Sequence, residues 1–370
     1  MAPCVGEWVE VRSKQEILTT LDARGRLNGL PFMPQMFQYC GKRFRVYKSA
    51  HKTCDTINGT GGRQLPDCVH LENLRCDGKA YGGCEAECLV FWHKKWLRPA
   101  DGSAAETYMD GISPISTGTD PKSTSAGEAA VLAGTLAVDG RRGDGPRYSC
   151  QATDLLQFTK PLAWWDARQY AHDYATGNAS ISGLLLGAVY AGYYVLSRPG
   201  RPQLQPFRNF FQWAYDRFAA VRGATPFPRR PGMLPAGQLA PITNLNLQPG
   251  ELVRVRPYRE ILATIDEHNK NRGLFFDAEM VPFCGRTFRV RSRVSQFVNE
   301  KSGKINYLRT PAVILEDVWC QSSYSGRRMH CPRSIYSWWR EVWLERVTVA
   351  APVRAERAAD QPAEAAVEMR

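Results

Sequence analysis

Hydrophobic and polar positions change period along the first hundred residues. From Trp8 to Val11, apolar residues are interleaved with charged ones, which indicates a half-buried β-strand. Ser13 and Glu16 then form a capping-box pattern ahead of Ile17, so we expect a helix to follow. The segments "KRFRVYK" and "CVHLENL" predict further strands, and the aromatic segment "VFWHKKWL" is expected to close the sheet or to pack over it.

The same pattern occurs a second time in the chain. "GEWVEVRSKQEILTTLD" from Gly6 and "GELVRVRPYREILATID" from Gly250 share ten of seventeen residues. The register then continues without a gap to Cys76 and Cys320, which indicates two copies of one fold. After a three-residue shift, Cys84, Trp92, Trp96 and Leu97 correspond to Cys331, Trp339, Trp343 and Leu344.

These patterns predict an α+β chain with two small, SH3-like β-barrel repeats on either side of a helical middle region. Composition sets the boundaries, because stretches rich in Gly, Ser and Pro separate the segments that contain aromatic residues. The predicted regions are a Cys-rich repeat (1–100), a flexible linker (101–147), a helical middle (148–225), a Pro-rich connector (226–248), a second repeat (249–348) and a disordered tail (349–370).

Two segments of the middle region are unusually apolar. The sixteen residues 181–196 carry no charge, but a spanning helix needs about 20, so a buried or membrane-interfacial hairpin is predicted. The next segment places Phe207, Phe210 and Phe211 largely on one side of a helix. This side either packs on a neighbouring helix or binds a lipid surface or a partner, and the sequence leaves both alternatives open.

The formal net charge of +12 favours an acidic protein, an anionic membrane surface or nucleic acid as partner. Arg43 and Arg45 occupy outward positions of a predicted strand and are candidates for this contact, although such a face is more often simply solvated. The N-terminal residues show no secretory signal pattern, so a cytoplasmic, reducing location is expected, with membrane contact at most peripheral. Eleven cysteines in that setting indicate thiols or metal ligands rather than disulfides.

The duplication allows the cysteines of the two copies to be compared. Three cysteines of the first copy recur in the second, namely Cys40, Cys76 and Cys84 as Cys284, Cys320 and Cys331. Three do not recur, because Val298, Ala312 and Ile335 stand opposite Cys54, Cys68 and Cys88. Cys40 and Cys68 are interpreted as core residues.

The remaining cysteines of the first copy suggest a zinc site. Cys76 and Cys84 flank "DGKAYGG", a sequence typical of a tight turn, and Cys88 follows at the spacing of one helical turn. Together with Cys54, or with His51 in place of one cysteine, they would supply the four ligands of a closed Zn²⁺ centre. The spacing lacks paired C-x-x-C motifs, so buried free thiols and a reactive cysteine remain alternatives.

A thiol- or metal-dependent enzyme is the second hypothesis. Its candidate residues are Cys84 and Cys88, with His51 or His93 as the assisting base. The sequence contains no phosphate-binding loop, metalloprotease motif, hydrolase elbow or kinase signature, so whether the protein is an enzyme stays open.

The string "RCDGKAYGGCEAECLVFWHKKWL", preceded by "KTCDT", resembles a pattern found in an uncharacterised group of bacterial proteins. The resemblance extends over both copies and implies no catalytic residue, because no activity is attached to that group. The first hypothesis is therefore a non-catalytic accessory or scaffold protein, stapled by metal in its first repeat and binding an acidic partner or surface. Nucleic-acid binding is the third hypothesis.

Overall fold

The computed structural model of the chain describes residues 3–100, 121–137, 145–196, 205–221 and 225–347. Within these residues the protein combines helices with several small antiparallel sheets, which confirms the prediction of a mixed fold. The predicted tail (349–370) and a large part of the predicted linker lie outside the described residues.

The first repeat contains a five-stranded antiparallel sheet, two smaller strand pairs and one short α-helix. Its elements are β1 (Trp8–Val11), α1 (Lys14–Leu18), β2 (Arg26–Leu27), β3 (Leu30–Pro31), β4 (Arg43–Ser49), β5 (Lys52–Cys54), β6 (Gly62–Gln64), β7 (Cys68–Leu71), β8 (Trp92–His93) and β9 (Leu97–Pro99). The strands of the sheet are ordered β8-β7-β4-β1-β9.

The predicted capping box begins α1. The Ser13 hydroxyl accepts the N–H of Glu16 at 3.3 Å, and the Glu16 carboxylate accepts the N–H of Ser13 at 2.9 Å. The predicted aromatic closing segment forms the centre of the core, where Trp92 and Trp96 are fully buried. The indole of Trp96 donates to the hydroxyl of Thr20 at 3.0 Å, so its polar atom is satisfied inside the core.

The middle segment contains most of the longer helices. Its elements are α2 (Pro121–Ala133), α3 (Leu155–Phe158), β10 (Lys160–Leu162), α4 (Arg168–Ala175), α5 (Ile181–Leu196) and α6 (Gln205–Val221). Strand β10 pairs with β6 of the first repeat, and β6 pairs with β5, so the middle segment extends a small sheet of that repeat.

Helix α2 lies where the sequence predicted a flexible linker, so the prediction was wrong there. Val131 is 2% exposed and belongs to the first core, and Glu128 forms an ion pair with Lys14 at 2.6 Å. A side chain added at Gly127 would lie 3.0 Å from the Leu18 side chain. The small residues of this segment allow the helix to approach the repeat closely, and this docking outweighs the composition that suggested disorder.

The apolar segment from Ile181 forms one continuous helix, α5, instead of the predicted hairpin. Its glycines do not end the helix, because a glycine in a helix interior costs only about 1 kcal/mol relative to alanine. At Gly187 the small residue allows close contact, since an added Cβ would lie 2.9 Å from the His330 ring. Within the described residues, α5 and every other helix fall short of the length and apolarity needed to cross a bilayer.

The second repeat has the same sheet order as the first. Its elements are β11 (Leu252–Val255), α7 (Tyr258–Leu262), β12 (Lys270–Asn271), β13 (Leu274–Phe275), β14 (Thr287–Val298), β15 (Ile305–Trp319), β16 (Tyr336–Trp339) and β17 (Leu344–Arg346). The order β16-β15-β14-β11-β17 places each strand where its counterpart lies in the first repeat, which confirms the duplication.

The two repeats contact each other through equivalent positions. The N–H of Val298 donates to the Cys84 sulfur at 3.3 Å, and Cys54 is hydrogen-bonded to Cys331. Position 298 corresponds to position 54 and position 331 to position 84, so one contact is made twice, once in each direction. Such reciprocity is typical of two-fold interfaces. The end of the β14–β15 hairpin also enters the first core, where Val298 is buried and Ile305 packs against it.

Candidate functional site

A cavity of about 590 Å³ lies between the two repeats. The first repeat, the second repeat and residues 150–152 of the middle segment all contribute to its walls. Its lining combines apolar side chains with charged ones and includes six cysteines, which are Cys54, Cys76, Cys84, Cys88, Cys150 and Cys320. The Cys-rich stretch of the first repeat, which contains Cys76, Cys84 and Cys88, therefore lies at the boundary between the repeats.

The predicted tight turn brings Cys84 back toward Cys76. The N–H groups of Tyr81 and Gly83 both donate to the carbonyl of Gly78, at 2.9 and 3.1 Å. Gly78 has a φ of +67°, and an added Cβ would lie 1.9 Å from the carbonyl oxygen of Cys84. Only glycine fits this position, which explains why the turn needs it.

Strand-like pairing of the backbone brings Cys88 next to Cys76. The N–H of Cys76 donates to the carbonyl of Cys88 at 2.8 Å, and Arg75 and Leu89 form an antiparallel bridge next to it. The segment after Cys84 is not helical, so the prediction that Cys84 and Cys88 share one helical turn was wrong. The backbone reverses instead at Glu87, where φ is +46°.

The fourth cysteine of this region, Cys150, comes from the middle segment and was not predicted. Its neighbour Gln151 is buried and binds the first repeat at three points. The Gln151 amide donates to the carbonyls of Pro31 and Phe91, each at 3.0 Å, and its side-chain oxygen accepts the N–H of Phe91 at 2.8 Å. These bonds position Cys150 beside the first repeat although the predicted linker separates the two in sequence.

We call Cys76, Cys84, Cys88 and Cys150 the four-cysteine cluster. All four are half-buried and line the cavity. Burial raises the pKa of Cys76, and the neighbouring Cys88, Cys150 and Cys84 raise it further. Burial also raises the pKa of Cys88 to about 12 and that of Cys150 to about 11. In the absence of a metal the thiols of Cys76, Cys88 and Cys150 are therefore protonated at neutral pH.

Hydrogen-bond donors point at three of the four sulfurs. The Gln35 amide donates to Cys76 at 3.3 Å, and the Val298 N–H donates to Cys84 at 3.3 Å. Cys150 accepts from the backbone of Ala152 and Thr153 and from the Thr153 hydroxyl at 3.8 Å. Donors in these positions favour the thiolate form, which is the form that binds metal. Among the described residues, however, no three His, Cys, Asp or Glu side chains are arranged to hold a metal ion.

Cys54, which lines the same cavity, forms a thiol pair with Cys331 that joins the repeats. Cys54 and Cys331 are 4% and 3% exposed and hydrogen-bonded to each other. This bond lowers the pKa of Cys331 to about 7 and raises that of Cys54, because the proton of one thiol stabilises the thiolate of the other. Arg328 and Arg333 lie near both sulfurs and add positive charge there.

The structure does not bring Cys54 and His51 into the four-cysteine cluster, as the predicted zinc site required. Cys54 pairs with Cys331 instead. His51 lies against the ring of His172, with a centroid distance of 4.2 Å, and its Nε2 is 3.3 Å from the carboxylate of Asp173. Burial lowers the pKa of His51 to about 3, so this ring is neutral.

The contacts found for His93, the candidate base, are with other parts of the first repeat. His93 pairs with Cys68 across the sheet, and its Nδ1 accepts the N–H of Lys95 at 3.1 Å, which caps a short 3₁₀ turn. Burial, as the largest cause, lowers its pKa. These contacts give His93 a structural role as a cap, and Cys68 is a core residue as predicted.

The outward basic residues of the first repeat are interleaved with carboxylate and carbonyl groups. Arg43 lies 3.5 Å from Glu10, which also pairs with Arg98. Arg45 donates to the carbonyl of Gly6 at 3.3 Å. Partner or nucleic-acid binding through Arg43 and Arg45 stays a prediction, but the carboxylate interrupts a continuous cationic strip.

The aromatic residues predicted to bind a partner lie on α6 and face outward. Phe207, Phe210 and Phe211 are 62%, 59% and 45% exposed. Of the two alternatives for this side of the helix, burial against a neighbour does not account for such exposure.

Comparison with protein-family models finds no match to this chain, and none of the curated proteins searched matches it significantly. Its function is therefore inferred from the geometry of the cavity and of the outward helix faces.

Proposed function

We propose that the protein is a non-catalytic accessory or scaffold protein in which one metal ion ties the first repeat to the middle segment. The observation that carries this proposal is the four-cysteine cluster in the lining of the cavity between the repeats. Three of its sulfurs come from the Cys-rich stretch of the first repeat and one from the far side of the predicted linker.

Zinc suits this set of ligands best. Four thiolates around Zn²⁺ form a closed tetrahedral site, which is the structural rather than the catalytic type because no position is left for a substrate. The donors from Gln35, Val298 and Thr153 support bound thiolates. Protonated thiols do not attract one another, so the four side chains would have to move toward a common point when they bind the metal.

The scaffold role follows from where the ligands lie. A metal bond between Cys150 and the first repeat would hold the middle segment in place independently of the linker, and Val298 of the second repeat already contacts Cys84. Binding free energy would then contribute directly to the stability of the three-part assembly.

Metal analysis of protein purified without a histidine tag tests the proposal. We expect about one zinc per chain in the unmodified protein, and a loss of that zinc in Cys84→Ser and Cys150→Ser. Cys68→Ala is the matched control, because Ala312 stands at the equivalent position of the second repeat and Cys68 lies outside the cluster. Cys54→Val, which introduces the residue found at the equivalent position 298, should also retain the metal.

Two results would overturn the proposal. One is metal-free protein from cells supplied with zinc, provided that the purified chain is folded and does not take up added zinc. The other is Cys150→Ser protein that still holds about one zinc per chain, because all ligands of that zinc would then belong to the first repeat and the metal would not tie it to the middle segment.

We also infer that each repeat closes as an SH3-like barrel. Strands β8 and β9 are the two edges of the first sheet, yet they follow each other in the chain with only the 3₁₀ turn Lys94–Trp96 between them. This short connection supports a sheet that curls until its edges approach. The second repeat has the same arrangement at Glu341–Trp343.

A specific observation favours a second candidate function, thiol redox chemistry at the Cys54–Cys331 pair. The Cys331 thiolate would attack a low-molecular-weight disulfide, forming a mixed disulfide and releasing one small thiol. Cys54 would then attack the Cys331 sulfur of that mixed disulfide, forming the Cys54–Cys331 disulfide and releasing the second small thiol, so that the two released thiols carry the two electrons and two protons. Peptide mapping after incubation with oxidised glutathione should then find Cys54 joined to Cys331. Both cysteines remaining free for alkylation in unfolded, treated protein would exclude this function.

A further inference from the structure

The outward faces of α5 and α6 are apolar. Leu185, Leu186 and Val189 on α5 are 64%, 71% and 71% exposed, and Phe207 and Phe210 on α6 are exposed to a similar degree. A surface helix of a globular protein normally turns its apolar stripe toward the core. These two helices present large apolar side chains in the opposite direction.

The inward side of α6 combines small, polar and aromatic contacts, since the ring of Tyr215 lies 6.0 Å from that of Phe227. Ala219 is 2% exposed, and the carboxylate of Asp216 accepts the N–H of Phe227 at 2.8 Å and pairs with Arg230. The helix is therefore attached to the protein through a small residue, a carboxylate and one tyrosine ring. Its apolar side is left for a different contact.

Both helices are attached to the same short part of the connector. Arg229 donates to the hydroxyl of Tyr190 on α5 at 2.8 Å and to the carbonyl of Tyr324 at 3.1 Å. The neighbouring residues Phe227 and Arg230 hold Asp216 on α6. Because consecutive residues anchor the two helices, their apolar faces belong to one region of the surface.

The sequence of the two helices and of the residues that flank them is basic. Residues 181–230 contain seven arginines and one acidic residue, Asp216, which is already paired with Arg230. The Arg217 guanidinium lies 5.6 Å above the ring of Trp213, and Trp213 is 56% exposed. Arginine and tryptophan at the border of an apolar face are typical of contact with the headgroup region of a bilayer.

We propose that α5 and α6 lie in the plane of a membrane surface that contains anionic lipid, with their apolar side chains inserted below the headgroups. The sixteen residues of α5 correspond to about 24 Å, shorter than the roughly 30 Å of a hydrocarbon core, so the helix lies along the surface. Lipid fits better than an acidic protein, because α5 carries no charged side chain to recognise one. This surface is separate from the four-cysteine cluster, so either proposal can fail alone.

Sedimentation of the full chain with vesicles tests the proposal. We expect binding to vesicles of phosphatidylcholine with about one third phosphatidylglycerol, weaker binding to phosphatidylcholine alone, and weakening by salt. The double variant Leu186→Ser/Phe210→Ser should lower the partition coefficient at least roughly 10-fold, because each lost apolar contact weakens insertion. Leu239→Ser, which removes a 79% exposed leucine in the connector, is the matched control and should bind like the unmodified protein.

Three outcomes would overturn the proposal. The folded, unmodified chain fails to sediment with the anionic vesicles, or the double serine variant binds them as well as the Leu239→Ser control. The third outcome is a dimer in gel filtration that the double variant converts to a monomer, since the face would then be covered by a second copy. Near-UV circular dichroism of each variant ensures that a loss of binding is not a loss of folding.

Discussion

Arg333, Glu300 and Thr56 form a polar joint between the repeats, and its two charged members differ in burial. Arg333 lies 2.9 Å from the Glu300 carboxylate and donates to the Thr56 hydroxyl at 2.6 Å, while that hydroxyl donates to Glu300. The Arg333 side chain is 3% exposed, whereas that of Glu300 is 24% exposed. Removing Glu300 would therefore leave the Arg333 charge buried, whereas removing Arg333 would leave the Glu300 carboxylate partly accessible to water.

We predict that Glu300→Ala destabilises the protein more than Arg333→Met. Losing one partner of a buried ion pair costs about 3–5 kcal/mol, and Glu300→Ala should fall in this range because Arg333 is left unpaired out of reach of water. Arg333→Met leaves a carboxylate that water can reach, so about 1–3 kcal/mol is expected. The double variant contains neither charge and should be more stable than Glu300→Ala alone.

Urea titration followed by tryptophan fluorescence provides the free energy of unfolding of each variant, since buried tryptophans lie in both cores. Thr56→Val is the control for the neutral member and should cost about 1 kcal/mol. The reasoning is refuted if Arg333→Met is at least as destabilising as Glu300→Ala, or if the double variant costs the sum of the two single changes.

Three further predictions concern pH, packing and metal. Burial lowers the pKa of His70 to about 3, so in the unfolded chain this residue takes up a proton near pH 6.5 that it does not take up in the folded chain. His70 alone should therefore lower stability by roughly 2 kcal/mol at pH 5, in addition to the losses from His51 and His330, whose pKa values burial also lowers. The variant His70→Gln should make the slope of urea stability against pH shallower without removing it. Gly134→Ala would place a Cβ 2.4 Å from the Arg24 carbonyl oxygen and should lower the melting temperature. Gly192→Ala on α5 meets no neighbouring atom and should be neutral or stabilising by up to about 1 kcal/mol. Equal effects of the two substitutions on the melting temperature would contradict this packing argument. If the four-cysteine cluster binds zinc, its affinity for zinc, measured by competition with a chelator, should rise steeply with pH, because thiols such as Cys88 must lose their protons before they bind the metal. An affinity for zinc that does not depend on pH would count against these ligands.

Local chemistry made several elements predictable. The capping box at Ser13 depends on residues three apart, and the turn at Gly78 depends on a glycine conformation that the sequence indicates directly. The duplication was readable because the spacing of buried tryptophans such as Trp92 and Trp96 recurs in the second repeat. Composition was a poorer guide for α2 and α5, where docking against a neighbour overrides a local preference for disorder or for a break at glycine.

By itself, the sequence determined two copies of one module, the turn that returns Cys84 toward Cys76, and the cationic, aromatic character of the middle helices. Only the tertiary structure decided which cysteines line the cavity together and which one pairs across the repeats. Cys150 joins the cluster because Gln151 binds the first repeat, and Cys54 leaves it because the reciprocal contact between repeats pairs it with Cys331. Both outcomes depend on contacts between residues far apart in the chain, which the spacing of neighbouring residues does not encode.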